Sequence, residues 1–361
     1  MSETFANRRR ELARELKRRE LDCLLVTLPA NWYYLTGFTG ESGVLVVTPD
    51  RTTLITDGRF TAQAKQEADG IQVQLQKEAL YQGVGEWLRR GGRARRVGYD
   101  PGQWTVAQCK ALKKASGARS RMIEAAGLIE RLRKKKDPQE LATMRKAAIL
   151  AGDVLESVLE IVKPGVREDE IGAEIEYRMK KGGASGVSFE TIVASGARAA
   201  LPHARATSKR LRKNELVVLD LGAILAHYCS DITRTVHVGR ASAQTRKCYT
   251  AVQEAQGAAV NAVRAGLTCG EVDAAARNVL KKSRLDRYFI HSTGHGLGLE
   301  VHEDPRIARG QAIRLEAGNV ITIEPGVYLE GVGGIRIEDD VAVGSQGSEV
   351  LTRVRRDLIE L

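Results

Sequence analysis

Long apolar runs are missing from this chain of 361 residues. None reaches the roughly 18 residues that a membrane-spanning helix needs. The opening stretch MSETFANRRRELAREL is polar and charged, without the apolar heart of a secretion signal. A cytoplasmic location and no membrane partner are therefore expected. Cysteines are few and scattered: Cys23, Cys109, Cys229, Cys248 and Cys269 are odd in number and form no CxxC pair. That argues against a disulfide framework and against a thiolate zinc site, and leaves them as reduced, buried fillers. Aromatic residues are only 5% of the chain.

What is present is a soluble globular composition, 43% hydrophobic and 28% charged, in a chain long enough for two domains with a core each. The net charge of +11 raises nucleic acid as a partner. The basic residues, however, lie in short clusters at residues 8–10, RLRKKK at 131–136 and KRLRK at 209–213, each beside a predicted helix or strand. No nucleic-acid motif and no run of stacking aromatics accompanies them, so they read as solvated faces and no nucleic-acid partner is expected.

The first 130 or so residues alternate helix and strand signals. A helix is predicted near residues 7–19, with further helical stretches at 61–67 and 81–90; DCLLVTLP, SGVLVVTPD, TTLITD, IQVQLQ and RVGYD read as strands. This predicts a small α/β domain with a mixed sheet. The boundary falls where KKKDPQELATMRKAAILAG begins a long periodic helix, with Asp137 as N-cap, Pro138 in the first turn and Glu140 completing a capping box. Domains of 1–132 and 133–361 follow.

The second part repeats itself. KPGVREDEIGAEIEYRM, from Lys163, is similar to RAGLTCGEVDAAARNVL at an offset of 101 residues, and LVVLDLGA, from Leu216, to VITIEPGV at an offset of 104. The repeat carries acidic residues into register, Asp220 with Glu324 and Asp231 roughly with Glu338. An antiparallel hairpin turning near Leu225 to Tyr228 sets Asp220 close to Asp231, and GGIRIEDD puts Arg336 and Glu338 on one face. Four converging carboxylates repel unless something cationic lies between them. Lone aspartates at strand ends are ordinarily solvated; it is the duplication that argues for more.

HSTGHGLGLEVHEDP, from His291, holds three of the six histidines. One histidine is usually a core residue, but three in a glycine-rich loop invite chemistry. Four carboxylates and one imidazole suit two divalent cations, with manganese, cobalt, iron and zinc all plausible and calcium disfavoured by the imidazole. A pair of ions about 4 Å apart can ionise a water held between them and polarise a carbonyl, which is hydrolytic chemistry. His203, His291 and His302 are candidates for holding the carbonyl oxygen and serving the leaving amine. His203 is equally consistent with an exposed loop residue, while His227 and His237 read as hairpin-turn and strand-surface residues.

The set Asp220, Asp231, His295, Glu324 and Glu338 resembles the metal-ligand signature of the creatinase/methionine aminopeptidase superfamily, peptidase family M24. VASGARAALPHA, VLDLGA, YCSDITRTV, HSTGHGLGLEVHE, ITIEPGVY and GGIRIEDDV occur in order, and NWYYLTGFTGESG resembles the amino-terminal domain of the proline-specific members. The resemblance implies an α/β (α+β) architecture: a creatinase-like amino-terminal domain followed by a pita-bread catalytic domain with an internal pseudo-twofold repeat. It also implies two metal ions, manganese first among the choices, bridged by Asp231 and Glu338, with Asp220, His295 and Glu324 as terminal ligands. A metal-bridging hydroxide would be the nucleophile.

By the same carry-over His203, His302 and His291 are catalytic and, with Tyr328, contact substrate, while Arg336 orients carboxylates. Such relatives act on short proline-containing peptides and are commonly homodimers. The segments FTGESG and VSFETIVASG resemble bacterial aminopeptidases P, which remove the residue before a proline. The alternative is a prolidase restricted to Xaa-Pro dipeptides. A non-enzymatic peptide-binding member is the third reading, and loss of a ligand, which is not observed, would favour it.

Overall fold

In a computed structural model of the chain, residues 2–68, 70–77, 79–90, 94–117 and 120–361 are described. The chain divides into two units, Met1–Arg133 and Lys134–Leu361.

In the first unit α1 (Ser2–Arg18) precedes β1 (Cys23–Val26), and α2 (Pro29–Thr36) leads into the antiparallel pair β2 (Val44–Val47) and β3 (Thr52–Thr56). Then come α3 (Thr61–Glu67), β4 (Gln72–Leu75), α4 (Leu80–Arg90), β5 (Arg96–Tyr99), α5 (Val106–Ser116), β6 (Arg121–Glu124) and α6 (Leu128–Arg133). The six strands form one mixed sheet in the order β4-β3-β2-β1-β5-β6. The five strand signals lie on β1 to β5. The sequence pattern does not announce the short α2, since LP reads as a strand end. Here Pro29 opens the helix, where its missing N–H costs nothing, and Gly37 closes it at φ 78°, a conformation other residues resist.

The second unit starts with α7 (Pro138–Val158). The Asp137 carboxylate accepts the backbone N–H groups of Gln139 and Glu140, and the Glu140 carboxylate accepts the Asp137 N–H. After α8 (Glu168–Lys181), β7 (Gly186–Val187) and β8 (Ile192–Ser195), the strands β9 (Glu215–Leu221) and β12 (Ile232–Val238) pair antiparallel around the small hairpin β10 (Ala223–Leu225) and β11 (Tyr228–Cys229). The second half repeats the plan. Helices α9 (Ala243–Ala262) and α10 (Cys269–Lys282) precede β13 (Gly294–Gly296), β14 (Glu303–Ile307) and β15 (Val320–Ile323). β15 pairs with β18 (Asp339–Val343) around the hairpin β16 (Gly326–Leu329) and β17 (Gly333–Arg336); β19 (Ser348–Val350) and β20 (Ile359–Glu360) close the chain.

Strand alternation sorts core from site. Val217, Leu219, Ile232 and Val236 pack against Leu155, Ile171 and Ile175 of α7 and α8. Ile321, Ile323, Val341 and Val343 do the same against Val252, Ala259 and Val272 of α9 and α10. Each such aliphatic side chain contributes about 1.5–3 kcal/mol on burial. By the period of two, Asp220, Asp231, Glu324 and Glu338 fall on the opposite faces from these core residues.

Two expectations are corrected. His237 is not on a strand surface but only 4% exposed, because β20 lies beside it, pairing His237 with Glu360. Cys109 is partly exposed, while the other four cysteines are buried. His227 sits at the β10–β11 turn, exposed and at φ 72°.

Candidate metal centre

β9 carries Asp220 opposite Thr233 of β12, and Asp231 stands just ahead of β12. Glu324 follows β15 and Glu338 precedes β18, the matching positions of the second half. Ligand atoms of Asp231, His295 and Glu338 all lie within 4.8 Å of one another. Glu324 adjoins them, its Oε1 3.6 Å from His295 Nε2, with Asp231 Oδ2 at 3.8 Å from the same nitrogen. Asp220 is turned toward Arg336, whose Nη2 donates to its Oδ2 at 2.5 Å.

Each donor is aimed by a neighbour. His295 Nδ1–H donates to the Gly296 carbonyl at 3.0 Å, which leaves the Nε2 lone pair facing the carboxylates. Glycines 294 and 296 serve strand packing: a Cβ at either would collide with the Thr322 or Asp304 carbonyl of the flanking strands. Thr233 Oγ1 donates to Glu338 Oε2 at 2.6 Å, and the Asp231 N–H donates to Asp340 Oδ2 at 3.1 Å. Arg336, 3% exposed, also donates to Thr233 Oγ1, Tyr328 Oη and the Pro202 carbonyl.

The histidines divide in two. His291 Nδ1–H donates to the Ser292 carbonyl and its Nε2 accepts the Tyr328 hydroxyl, both at 2.8 Å, so neither ring nitrogen is open to a substrate. His302 is exposed, its ring centroid 4.4 Å from that of His295. His203 is exposed on the loop after β8; burial lowers the pKa of both His291 and His302, and His203 nearby adds to it. Fully buried Glu168 holds that loop from both sides, accepting from Ser195 N and Oγ, Arg198 Nε, and Thr207 N and Oγ1.

Burial dominates the electrostatics. It raises Asp231 well above the carboxylate range, helped by the charges of Glu338, Asp220, Asp340 and Glu324. It raises Glu338 likewise, with Glu324 and Asp220 adding, and pushes Glu324 up to about 8. Burial also brings His291 and His295 down to about 4, which keeps both neutral at physiological pH.

Residues 142–345 match the metallopeptidase family M24, and residues 8–135 match the creatinase/prolidase N-terminal domain. An Xaa-Pro dipeptidase of Pyrococcus furiosus is 37% identical over 350 residues, 97% of this chain and 98% of that protein. The solved structure of an Xaa-Pro dipeptidase from Bacillus anthracis superposes with a TM-score of 0.95 at 38% identity, covering 99% of this chain and 100% of the other. An X-Pro aminopeptidase from Thermotoga maritima MSB8 superposes with a TM-score of 0.89 at 34% identity, covering 96% and 100%.

The chain belongs to metallopeptidase family M24.

The pita-bread architecture with a creatinase-type amino-terminal domain is that of its structural neighbours. The clustered residues of this M24 chain suit a divalent metal. Asp220 Oδ1 and Asp231 Oδ1 are buried with no hydrogen-bond partner, and buried acceptors without partners are rare. The donor set is oxygen-rich with one imidazole and no thiolate, and its carboxylates are driven toward protonation when no cation shares the space. Sequence reasoning missed Thr233, Glu168 and Asp340. One signal was available for the first: DITRTV places polar residues in a strand that is buried throughout, and buried polar groups need partners.

Proposed function

We propose that this M24 peptidase is an Xaa-Pro dipeptidase, hydrolysing the bond between the first residue and the proline of a dipeptide. The observation that supports this best is the match to the dipeptidases of Pyrococcus furiosus and Bacillus anthracis over nearly the full chain, at higher identity than to the Thermotoga aminopeptidase. This reverses the preference drawn from FTGESG and VSFETIVASG. Aminopeptidase P is the second reading, favoured by the likeness to that Thermotoga structure. Residues 1–132 would form the amino-terminal domain and residues 133–361 the catalytic one.

Asp220, Asp231, His295, Glu324 and Glu338 would hold two divalent ions. Manganese fits the carboxylate-rich set first, ahead of cobalt, zinc or iron. Such ions, when bound, supply Lewis acidity for a carbonyl and make water a nucleophile near neutral pH. The chain's own residues do the rest. Arg336 pins Asp220 by one oxygen and leaves the other free to ligate. His203 and His302, exposed beside the cluster, steady the carbonyl oxygen and pass a proton to the prolyl nitrogen, which carries no hydrogen of its own. His291 acts through Tyr328, fixing the hydroxyl that Arg336 also holds. We take the protein as a cytoplasmic homodimer acting on short peptides, without nucleic acid or membrane as partner.

The test is hydrolysis of an Xaa-Pro dipeptide beside an Xaa-Pro-Yaa tripeptide with the same first residue, after chelation and reloading with manganese. Cleavage of the dipeptide alone is the expected result. Cleavage of the tripeptide selects aminopeptidase P, and cleavage of neither overturns both readings.

A further inference from the structure

Arg234 and Asp339 have no part in the site described above, yet both are buried behind it, 1% and 0% exposed. All five N–H groups of Arg234 find acceptors. Nε donates to the Arg355 carbonyl at 2.9 Å, Nη1 to the carbonyls of Thr233 at 2.9 Å and Glu338 at 2.6 Å, and Nη2 to Asp339 Oδ1 and the Val354 carbonyl, each at 2.8 Å. Asp339 accepts four bonds, from Arg234 Nη2 and Thr352 Oγ1 on one oxygen and from Gln256 Nε2 and Arg356 Nε on the other.

These bonds stitch together two segments that belong to different sheets. β12 follows Asp231 and β18 follows Glu338, and no strand ladder joins them. Instead Glu338 N donates to the Thr233 carbonyl, Thr233 Oγ1 to the Glu338 carboxylate, and Arg234 to the Glu338 carbonyl. A buried ion pair adds little net stability compared with an apolar filling of the same space. A planar guanidinium with every donor engaged does fix geometry, since displacing any one segment breaks bonds to the others.

We propose that Arg234 and Asp339, closed from behind by residues 352–356, are positioning residues that set the separation of the Asp231 and Glu338 carboxylates and thereby the affinity of the site for divalent ions. The inference rests on the metal-site reading given under Proposed function.

It is tested on chelator-stripped wild type, Asp339→Asn and Arg356→Ala, each titrated with Mn²⁺ by calorimetry, with the melting temperature of each stripped protein recorded. The Arg356 side chain is 32% exposed, so its truncation removes one of the four donors to Asp339 at little cost to the fold. Mn²⁺ binding should weaken by about 10–100-fold in Asp339→Asn and several-fold in Arg356→Ala. Stripped Arg356→Ala should melt within about 2 °C of wild type, and excess Mn²⁺ should restore turnover with the peptide KM unchanged. Equal Mn²⁺ affinity in all three proteins overturns the proposal. So does a lowered melting temperature without loss of affinity, the behaviour of a merely structural pair. If Asp339→Asn does not fold, Arg356→Ala alone decides. Wild type that binds no Mn²⁺ refutes the metal site itself, whatever the variants do, and the inference falls with it.

Discussion

Stripping the protein of metal should make its stability fall as the pH rises from 6.5 to 8. Glu324, ordinarily near 4.5, is pushed up to about 8 by burial. A native state that keeps a proton the unfolded chain has lost is favoured at low pH: this stability is complete below 4.5 and is lost as the pH climbs through 8. The histidines run the other way. His291 and His295, down at about 4, and His302, lowered by the same cause, weaken the fold only as the pH drops below their ordinary 6.5. Between 6.5 and 8 the carboxylates therefore act alone among these site groups.

One extra native proton changes stability by about 1.4 kcal/mol per pH unit, so Glu324 accounts for about 2 kcal/mol across the interval. Its side chain keeps 16% exposure, which makes that figure a ceiling for this residue. Asp231 and Glu338 shift in the same direction and add to it. At about 2–4 °C per kcal/mol for a unit of this size, the melting temperature should be about 4–8 °C lower at pH 8 than at pH 6.5. Scanning calorimetry of chelated protein at constant ionic strength measures it, and saturation with Mn²⁺ should remove the slope, because the ions bind the ionised carboxylates. A chelated protein whose melting temperature stays level or rises over this range would show that burial does not hold these carboxylates protonated.

Further outcomes follow from single side chains. Asp231→Ala should abolish both Mn²⁺ binding, read by titration calorimetry, and hydrolysis. His302→Ala should slow turnover by about 10²–10⁴-fold while two ions still bind, and loss of the ions would contradict its assigned role. Glu168→Gln removes the charge that holds the His203 loop and should cost about 1–3 kcal/mol in a denaturant melt. It should lower kcat while the Mn²⁺ affinity stays at the wild-type level.

Local sequence carried much of this protein. The DP pair followed by glutamate announced the start of α7, because a cap depends only on residues three apart. Period-two alternation in VVLDL and VITIE was enough to turn the acids away from the apolar faces, and the internal repeat paired Asp220 with Glu324. The histidine loop stood out by composition, yet composition could not divide its members. The partner of His291 Nε2 is Tyr328, 37 residues away, and no composition names it.

The run RIEDD shows the limit most clearly. Three acids stand in a row, and nothing within the run says that Glu338 faces the donor cluster, that Asp339 takes four bonds on the helix side, or that Asp340 caps the Asp231 backbone. Those fates depend on Arg234, Gln256 and Thr352, and on which face of a twisted strand each acid occupies. The sequence by itself determined which residues could ligate, cap or pack, since those properties are chemical and local. Only the tertiary structure decided which carboxylates share a buried space and which are neutralised by an arginine, because that follows from contacts between residues about a hundred positions apart.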